Sequence, residues 1–301
     1  MCKDIGGYAR KLADHLMTDN DVCFIDTASM SEQFDKAPKI LRRPLKRWAQ
    51  LRRVKSAIQA SGRFDVALLI NPAQIDPTQL AVAFKSSDRK IAYLYDSFSR
   101  WPMSREQLAE YDEVFSFDPE NAKSHGLKKL HNFIYEDYVA DAKPGEYSAF
   151  VVMAGKDRVP ALEKLAQEFD RLGISDYKFM VQCKPIPGAH PGITFFAQRM
   201  SLESVGELVK RSRIILDISK PGQAGLSFRF FEAMASRKKV ITTNRSVVDY
   251  DFYNPANILV IDEASPLIPE QFITEPYVDV PEQIYQKYTL QGWTRTVLSL
   301  H

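Results

Sequence analysis

The 301-residue sequence predicts an α/β protein made of two Rossmann-like domains. Short apolar runs rich in β-branched and aromatic residues alternate with segments of helical periodicity, which is the pattern of parallel α/β units. The chain is also about twice the length that a single ordinary core needs, so two domains are the default expectation. Each half is therefore predicted to form an open doubly wound sheet.

The first half, residues 1–142, contains a helical pattern over Tyr8 to Met17 and a long basic helical pattern that begins near Lys39. Its apolar runs are spaced by about 20 to 40 residues, which fits right-handed crossovers through helices. Strands are predicted at 21–26, 65–70, 90–96, 113–117 and 131–135.

A polar, turn-prone stretch at 137–148 interrupts this pattern, and we place the domain boundary between residues 142 and 143. The second domain is predicted to cover 143–280. The final segment, 281–301, has apolar residues at helical spacing and is predicted to pack back on the N-terminal domain. Strands of the second domain are predicted at 148–155, 176–182, 193–197, 213–219, 238–244 and 257–262, with helices at 160–173, after Ser201 and at 226–237.

Composition excludes several classes of protein. A net charge of +2 argues against nucleic-acid binding as the main function. The opening residues lack a signal-peptide pattern and no window reaches the apolar length of a membrane span, so we expect a cytoplasmic protein. The three cysteines have no Cys-x-x-Cys spacing, which argues against a disulfide framework or a structural zinc site. No Asp-x-Asp pair stands at a predicted strand end, so we expect neither a metal site nor a cofactor.

The segment from Lys39 to Lys55 has eight basic residues and no acidic one. Its apolar residues and Trp48 have helical spacing, which is typical of an amphipathic helix that binds anionic lipid headgroups. This interpretation predicts a peripheral association with the inner face of the cell membrane through residues 39–55. A solvated helix that packs Trp48 on its own domain is the alternative.

In open α/β sheets, ligands bind beyond the carboxyl ends of the strands. The strand at 213–219 is followed by a glycine-containing turn and then by a helix, and such a helix N-terminus offers unpaired N–H groups to an anion. Arg229, in the first turn, would bind a diphosphate, and Glu232 would accept the hydroxyl hydrogens of a ribose. The turn contributes Lys220, Gln223, Gly225, Leu226 and Ser227.

Two further strand ends contribute to the same predicted site. Gly155 and Lys156 follow the strand at 148–155, and Thr243 and Asn244 end the strand at 238–244. The alternative is that the glycines serve only turns and that Arg229 and Glu232 form a surface ion pair of small energy.

The run QAGLSFRFFEAMASRKKVITTN (223–244) resembles the donor-binding helix and following strand of GT-B glycosyltransferases. The opening DIGGYARKLADHLMTDNDVCFID (4–26) looks like the glycine loop, first helix and second strand of that fold. Residues 93–102, 113–128, 215–233 and 247–262 are similar to bacterial proteins of lipopolysaccharide and capsular polysaccharide biosynthesis. The resemblance implies a GT-B-like fold and the transfer of a sugar from a nucleotide-sugar donor to a surface-glycan or lipid-linked acceptor.

The resemblance also implies residue roles. Glu232 would hold the ribose, while Gly225, Leu226 and Ser227 would contact the diphosphate. Lys156 and Arg229 would neutralise its charge, in place of a metal ion.

The acceptor side is assigned to the first half. Asp96, which ends an apolar run, is the candidate general base, with Asp118 as the runner-up. A helix cap is the alternative role for Asp96. The other acceptor-side residues are Gly6, Gly7, Ser97 and Arg100.

Two departures from the family pattern leave alternatives open. Many retaining members carry a glutamate eight residues before the position of Glu232, where this chain has Ala224, so the stereochemistry of transfer stays open. The usual first strand is nearly absent before Gly6, so either the chain starts upstream or that strand is lost. A nucleotide-sugar epimerase on the same fold and a non-catalytic binding protein are the alternative functions.

Overall fold

Parallel strands form two separate sheets, one in each part of the chain. In this computed structural model, residues 1–4, 6–27, 38–135 and 145–299 are described. The first unit holds Met1–His131 and the chain from Thr296 onward, and the second unit holds Asn132–Arg295. The boundary predicted between 142 and 143 falls outside the described residues and stays a prediction.

The first unit has a four-stranded sheet in which all neighbouring strands are parallel, in the order β1-β2-β3-β4. Apolar residues of the strands, such as Leu69 and Ala92, are fully buried between the sheet and its helices. The strands are β1 (Phe64–Ile70), β2 (Ser87–Leu94), β3 (Glu113–Ser116) and β4 (Lys128–Lys129). The helices are α1 (Tyr8–Leu16), α2 (Lys39–Ser61), α3 (Pro77–Lys85), α4 (Arg105–Leu108) and α5 (Pro119–His125).

The strand predicted at 21–26 is not formed as a ladder. Within the described residues it makes one parallel bridge, between Asp26 and Cys2, and Cys2 makes a second one with Ile70. The strand prediction fails here because a strand needs a hydrogen-bonded neighbour, and among the residues described Cys2 alone supplies one.

The second unit has a six-stranded parallel sheet in the order β10-β9-β8-β5-β6-β7. Counted within the unit this is 6-5-4-1-2-3, the order of a doubly wound Rossmann sheet. Its strands are β5 (Tyr147–Ala154), β6 (Lys178–Gln182), β7 (Ile193–Phe196), β8 (Ser212–Asp217), β9 (Lys239–Thr242) and β10 (Ile258–Val260). Its helices are α6 (Val159–Arg171), α7 (Leu202–Lys210), α8 (Phe228–Ala235), α9 (Glu270–Thr274) and α10 (Glu282–Tyr288). The predicted α/β class with two Rossmann-like sheets is confirmed.

The core of the second unit shows why these segments fold as they do. Helix α6 buries Leu162, Leu165 and Phe169, which lie on one helical face, against strands of the sheet. Helix α8 is different, because every residue except Arg229 is buried. A short helix that is buried on all sides is held firmly in place by the packing around it.

Two predicted elements differ from the observed ones. The strand predicted at 131–135 forms only an isolated bridge, Ile134 with Thr289, and Asn132 onward belongs to the second unit. The single helix predicted at 281–301 is divided into α10 and α11 (Leu290–Leu298), because Thr289 has an extended backbone. The chain from Thr296 onward belongs to the first unit, where Arg89 donates to the carbonyl oxygen of Leu298 over 3.3 Å.

Helix α2 carries the basic segment. Trp48 is 58% exposed and Ile40 is 87% exposed, so both side chains are largely accessible to solvent, and the Arg52 guanidinium lies 5.4 Å from the centre of the Trp48 ring. Pro44 lies inside the helix, where it removes one backbone hydrogen bond. In the described part of the chain, we find no helix with the length and apolar content that crossing a membrane requires.

Candidate functional site

The candidate site lies where the strand order of the second sheet reverses, between the neighbouring strands β5 and β8. At such a point, the loops after the two strands diverge to opposite faces of the sheet and leave a crevice for a ligand. The residues predicted from the sequence follow these two strands and β9. The structure therefore brings the predicted donor-binding residues of three loops to one edge of one sheet.

The loop after β5 makes a tight turn at Gly155, which has a φ of +90°. A Cβ atom there would lie 2.6 Å from a carboxylate oxygen of Asp157, so a larger residue would be strained on both counts. Lys156 is exposed next to this turn. The backbone thus turns tightly at the end of β5. The side chain of Lys156 remains accessible to an anion.

Arg158 joins the two strand ends. Its guanidinium donates to the carbonyl oxygens of Ala154, over 2.9 Å, and of Ile218, over 2.8 Å. Burial lowers the pKa of Arg158, while the charges of Asp157 and Asp217 oppose that effect. The sequence analysis missed this role, although the arginine directly follows the glycine turn.

Asp217 ends β8 and accepts two hydroxyl hydrogen bonds. Ser227 donates to one carboxylate oxygen over 2.6 Å, and Thr242 donates to the other over 3.1 Å. Burial raises the pKa of Asp217, and these two hydrogen bonds and the charges of Arg158 and Arg229 oppose the increase. This carboxylate therefore ties the first turn of α8 to the neighbouring strand β9.

Ser227 is the N-cap of α8, since its hydroxyl oxygen accepts a hydrogen bond from the backbone N–H of Arg229 over 3.2 Å. Its only hydroxyl hydrogen is given to Asp217. In this structure Ser227 consequently has no hydrogen to donate to a phosphate, and a ligand would meet the backbone at this helix end.

The other polar residues predicted to contact the donor hold the loop before α8. The amide nitrogen of Asn244 donates to the carbonyl oxygens of Ala224, over 3.2 Å, and of Gly225, over 3.3 Å. Gln223 donates to Gly225 as well, over 3.0 Å. Thr243 accepts from the backbone N–H of Ser219 over 2.9 Å. These contacts shape the loop, while Lys220 is exposed on it.

Glu232 and Arg229 lie one turn apart on α8 and form an ion pair. The carboxylate of Glu232 is fully buried, and the side chain of Arg229 is 16% exposed. Tyr135 donates to the second carboxylate oxygen over 2.7 Å. The pair is thus not the surface ion pair of the alternative interpretation, because one partner is inside the protein.

Asn132 and Tyr135 contact residues of the candidate site, and the sequence analysis did not single them out. Asn132 is buried and donates to the carbonyl oxygen of Leu226 over 2.9 Å. Both residues come from the segment predicted as a strand of the other domain, and they are anchored by Phe133, which packs on Phe228 with ring centroids 5.3 Å apart. No sequence motif includes these residues. The one feature that could have pointed to them is a single asparagine, Asn132, within an apolar run.

In the first unit, Asp96 follows β2 and is held on both sides. Arg100 donates to one carboxylate oxygen over 3.1 Å, and Asn71 donates to the other over 3.4 Å. The Ser97 and Ser99 hydroxyls lie 2.7 Å apart. The structure therefore brings the predicted residues Asp96, Ser97 and Arg100 into one short loop.

Asn71 was also missed. It directly follows β1 and has a left-handed backbone, with a φ of 47°, and its side-chain oxygen accepts from the backbone N–H of Tyr95 over 2.9 Å. A buried non-glycine residue with this backbone is uncommon, and such residues concentrate at functional sites.

Two other predicted acceptor-side features serve as helix caps. The carboxylate of Asp118 accepts from the backbone N–H groups of Glu120 and Asn121 at the start of α5. Gly7, with a φ of 85°, precedes α1 and follows Gly6 in the same turn, where Asp4 accepts from Gly7 over 2.7 Å. We find no group of three metal-ligating side chains within the described ranges.

Neither protein-family models nor the sequences of curated proteins give a match to this chain. Solved structures do. An α-glucosyltransferase in complex with UDP matches with a TM-score of 0.57 and 12% identity, over 100% of this chain and 95% of that one. The α-glucosyltransferase with UDP and a mismatched 13-mer DNA matches with a TM-score of 0.56 and 13% identity, over 98% and 91%. A UDP-forming trehalose-phosphate synthase from Burkholderia xenovorans matches with a TM-score of 0.55 and 13% identity, over 99% and 97%.

These identities are low, and the likeness concerns the fold. The match extends over nearly the whole of each chain and includes both Rossmann-like sheets. The chain therefore has the fold of the GT-B glycosyltransferases, as the resemblance in the sequence implied.

Proposed function

We propose that this protein is a glycosyltransferase whose nucleotide-sugar donor binds to the second unit. The observation that carries the proposal is the arrangement at the reversal of strand order. The start of α8, the cation of Arg229 and the exposed Lys156 occupy the strand ends where a doubly wound sheet binds its ligand.

The proposed chemistry follows from charge. The leaving nucleoside diphosphate gains negative charge during transfer, and cations together with the N-terminus of α8 stabilise it without a metal ion. Glu232 would hold the ribose. Asp96, oriented by Arg100 and Asn71, would take the proton of the attacking hydroxyl if transfer is inverting. The nucleotide sugar is a co-substrate, and no further cofactor is proposed.

The proposed acceptor is a surface glycan or a lipid-linked precursor in lipopolysaccharide, capsule or exopolysaccharide synthesis, and the proposed place of action is the cytoplasmic side of the membrane. Exposed Trp48 and Ile40 on the basic helix α2 support this, because apolar side chains among cations suit an anionic lipid surface. A lipid-linked acceptor would be presented at such a surface.

A thermal-shift series with nucleotide sugars tests the proposal. Because matched structures contain UDP, UDP and UDP-sugars are tried first, followed by GDP-, ADP-, CMP- and dTDP-sugars. A ligand at about one hundred times its Kd stabilises the protein by about 2.7 kcal/mol, which raises Tm by several degrees. Product analysis then separates transfer from epimerisation. The absence of a shift with every nucleotide would contradict the proposal and favour a non-catalytic protein.

A further inference from the structure

Asp217 places a carboxyl group at the end of β8, beside the proposed donor site, and only 7% of this residue is exposed. Both of its carboxylate oxygens accept hydrogen bonds, from Ser227 over 2.6 Å and from Thr242 over 3.1 Å. Each hydroxyl group uses its one hydrogen in this way, so neither oxygen of Asp217 needs a proton of its own. The arrangement is therefore that of an ionised carboxylate.

The two hydroxyl groups connect this carboxylate to backbone N–H groups. Ser227 accepts from the N–H of Arg229 in the first turn of α8, over 3.2 Å, and Thr242 accepts from the N–H of Asn244, over 2.9 Å. One hydroxyl group thus separates Asp217 from the start of α8. A negative charge is stabilised there because the amino end of a helix is positive.

The two arginines near this carboxylate already have partners. Arg229 pairs with the buried Glu232, and Arg158 donates to two backbone carbonyl oxygens. Burial raises the pKa of Asp217, and the hydroxyl hydrogen bonds and the charges of both arginines oppose that increase. An anionic ligand at the start of α8 would therefore meet a buried protein anion as well as cations.

Sugar transfer changes the charge of the nucleotide. The bond between the anomeric carbon and the diphosphate oxygen breaks, and its electron pair stays on that oxygen. The acceptor oxygen bonds to the sugar and loses its proton. A nucleotide sugar has one ionised oxygen on each phosphate, whereas the terminal phosphate of the product has a second one that titrates at about pH 6. The product is therefore more negative than the donor by about one charge at neutral pH.

We propose that Asp217 makes the donor site discriminate against the more negative nucleoside diphosphate, which favours release of the product after transfer. This inference rests on the proposed donor site of the second unit. Repulsion between like charges grows with the charge of the ligand, and salt screens a buried charge less than an exposed one. Asp217 would act on the ligand through its charge, as a specificity-determining residue.

The probes are UDP, its β-methyl ester and uridine. The methyl group removes the second ionisation of the terminal phosphate, so the ester has the charge of a nucleotide sugar, and uridine has none. If the thermal-shift series identifies another base, the corresponding three compounds replace them. Titration calorimetry at pH 8 gives the Kd of each compound. Asp217→Asn removes the charge and keeps the shape. Asp176→Asn is the control, because Asp176 is exposed before β6, at the opposite edge of the sheet.

We expect Asp217→Asn to bind UDP about tenfold more tightly and the ester about three- to fivefold more tightly, since the gain follows the charge of the ligand. Uridine should bind as before, and Asp176→Asn should change none of the three Kd values. Ser227→Ala removes one hydrogen bond but keeps the carboxylate, so it should alter UDP and the ester equally. At pH 5, where UDP has the charge of the ester, Asp217→Asn should also affect both equally.

Equal gains for UDP and the ester at pH 8, or no gain, would overturn the proposal. If Asp217→Asn fails to fold, the unaltered protein decides the question. It should bind UDP no more tightly than the ester at pH 8, and a preference of about tenfold for UDP would overturn the proposal. If no nucleotide binds the unaltered protein, the proposed function is contradicted and this inference with it. Nucleotide binding without discrimination by charge contradicts the role of Asp217 alone.

Discussion

Tyr135 donates a hydrogen bond to Glu232 over 2.7 Å inside the second unit, and both side chains are buried. Arg229 pairs with the other oxygen of the same carboxylate. Both oxygens of Glu232 are therefore engaged by protein groups. If Glu232 binds the ribose, as proposed, a ribose hydroxyl and the phenol hydroxyl would compete for the same carboxylate oxygen.

This competition predicts the effect of Tyr135→Phe. Removing the hydroxyl should raise the affinity for UDP and for uridine alike by about three- to tenfold, since the ribose no longer displaces a hydrogen bond worth roughly 0.5 to 1.5 kcal/mol. The measurement is titration calorimetry with both ligands. Tyr177→Phe, which removes a hydroxyl bonded to the exposed Asp170, is the control and should leave both affinities unchanged. Unchanged or weaker binding to Tyr135→Phe would contradict this role of Tyr135.

Much of the site's framework was predictable from local sequence. Strand β8 and helix α8 follow from an apolar run, a glycine-containing turn and the N-cap Ser227, which act within a few residues of one another. The contacts of Asp217 and Tyr135 were not predictable. Tyr135 meets a residue 97 positions away, so nothing near it in the sequence reveals the partner.

The incorrectly predicted strands have the same cause. Periodicity identified 21–26 and 131–135 as strands, but a strand forms only beside a hydrogen-bonding neighbour. Segment 131–135 uses Phe133 and Tyr135 to pack on α8, with Phe133 also 5.2 Å from the ring of Trp293. The apolar composition of 131–135 correctly indicated that this segment is buried, but the residues that bury it are distant in the sequence.

The core of the second unit gives a prediction for pH dependence. Glu168 is buried and accepts hydrogen bonds from Arg171, at 2.6 and 2.8 Å, and from the backbone N–H of Ile268 at 2.9 Å. The hydrogen bonds from Arg171 lower the pKa of Glu168 against the opposing effect of burial, and the bond from Ile268 adds to the decrease. The ionised form is therefore favoured in the folded protein.

Glu168→Gln should lower the free energy of unfolding by about 1.5 to 3 kcal/mol at pH 7. A lowered folded-state pKa contributes stability above the unfolded-state value, near 4.5, and loses it as pH falls through the folded-state pKa. The difference between the two proteins should accordingly shrink below about pH 4.5. Denaturant unfolding at pH 7 and pH 4 measures it. Glu207→Gln, an exposed partner of Lys210, should show almost no difference at either pH, and a pH-independent loss in Glu168→Gln would refute the electrostatic explanation.

The basic helix predicts membrane binding. Replacing Arg42, Arg43, Lys46 and Arg47 with glutamine should weaken binding to vesicles that contain phosphatidylserine, by about 1 kcal/mol for each cation near the surface. Arg47 also pairs with Asp76, so circular dichroism should confirm that the variant is folded. Sedimentation with vesicles at low salt is the measurement.

A control variant carries the same loss of charge on the second unit. It replaces Lys184, Arg199, Lys210 and Arg213, all exposed, with glutamine. It should bind vesicles like the unaltered protein. Equal binding by all three proteins would dispose of the membrane role of α2.

The donor-site assignment predicts different effects for the two charged residues of α8. Glu232→Gln keeps the shape of the side chain but loses charge-assisted hydrogen bonds worth roughly 1.5 to 3 kcal/mol, so uridine and UDP should both bind about ten- to a hundredfold more weakly. Arg229→Ala should weaken UDP strongly and leave uridine nearly unaffected, because only the phosphates meet the guanidinium.

A purely structural ion pair makes the opposite forecast. Glu232 is fully buried beside Arg229, so removing either charge would then lower the stability of the second unit and leave nucleotide affinity unchanged. Arg211→Ala is the matched control, since Arg211 pairs with Glu146 near the amino end of β8, away from the carboxyl ends of the strands. Calorimetry of uridine and UDP against the three variants, with thermal unfolding measured in parallel, separates the two cases. Affinities equal to those of the unaltered protein in both Glu232→Gln and Arg229→Ala would remove the donor site from α8, and with it the main structural support for sugar transfer.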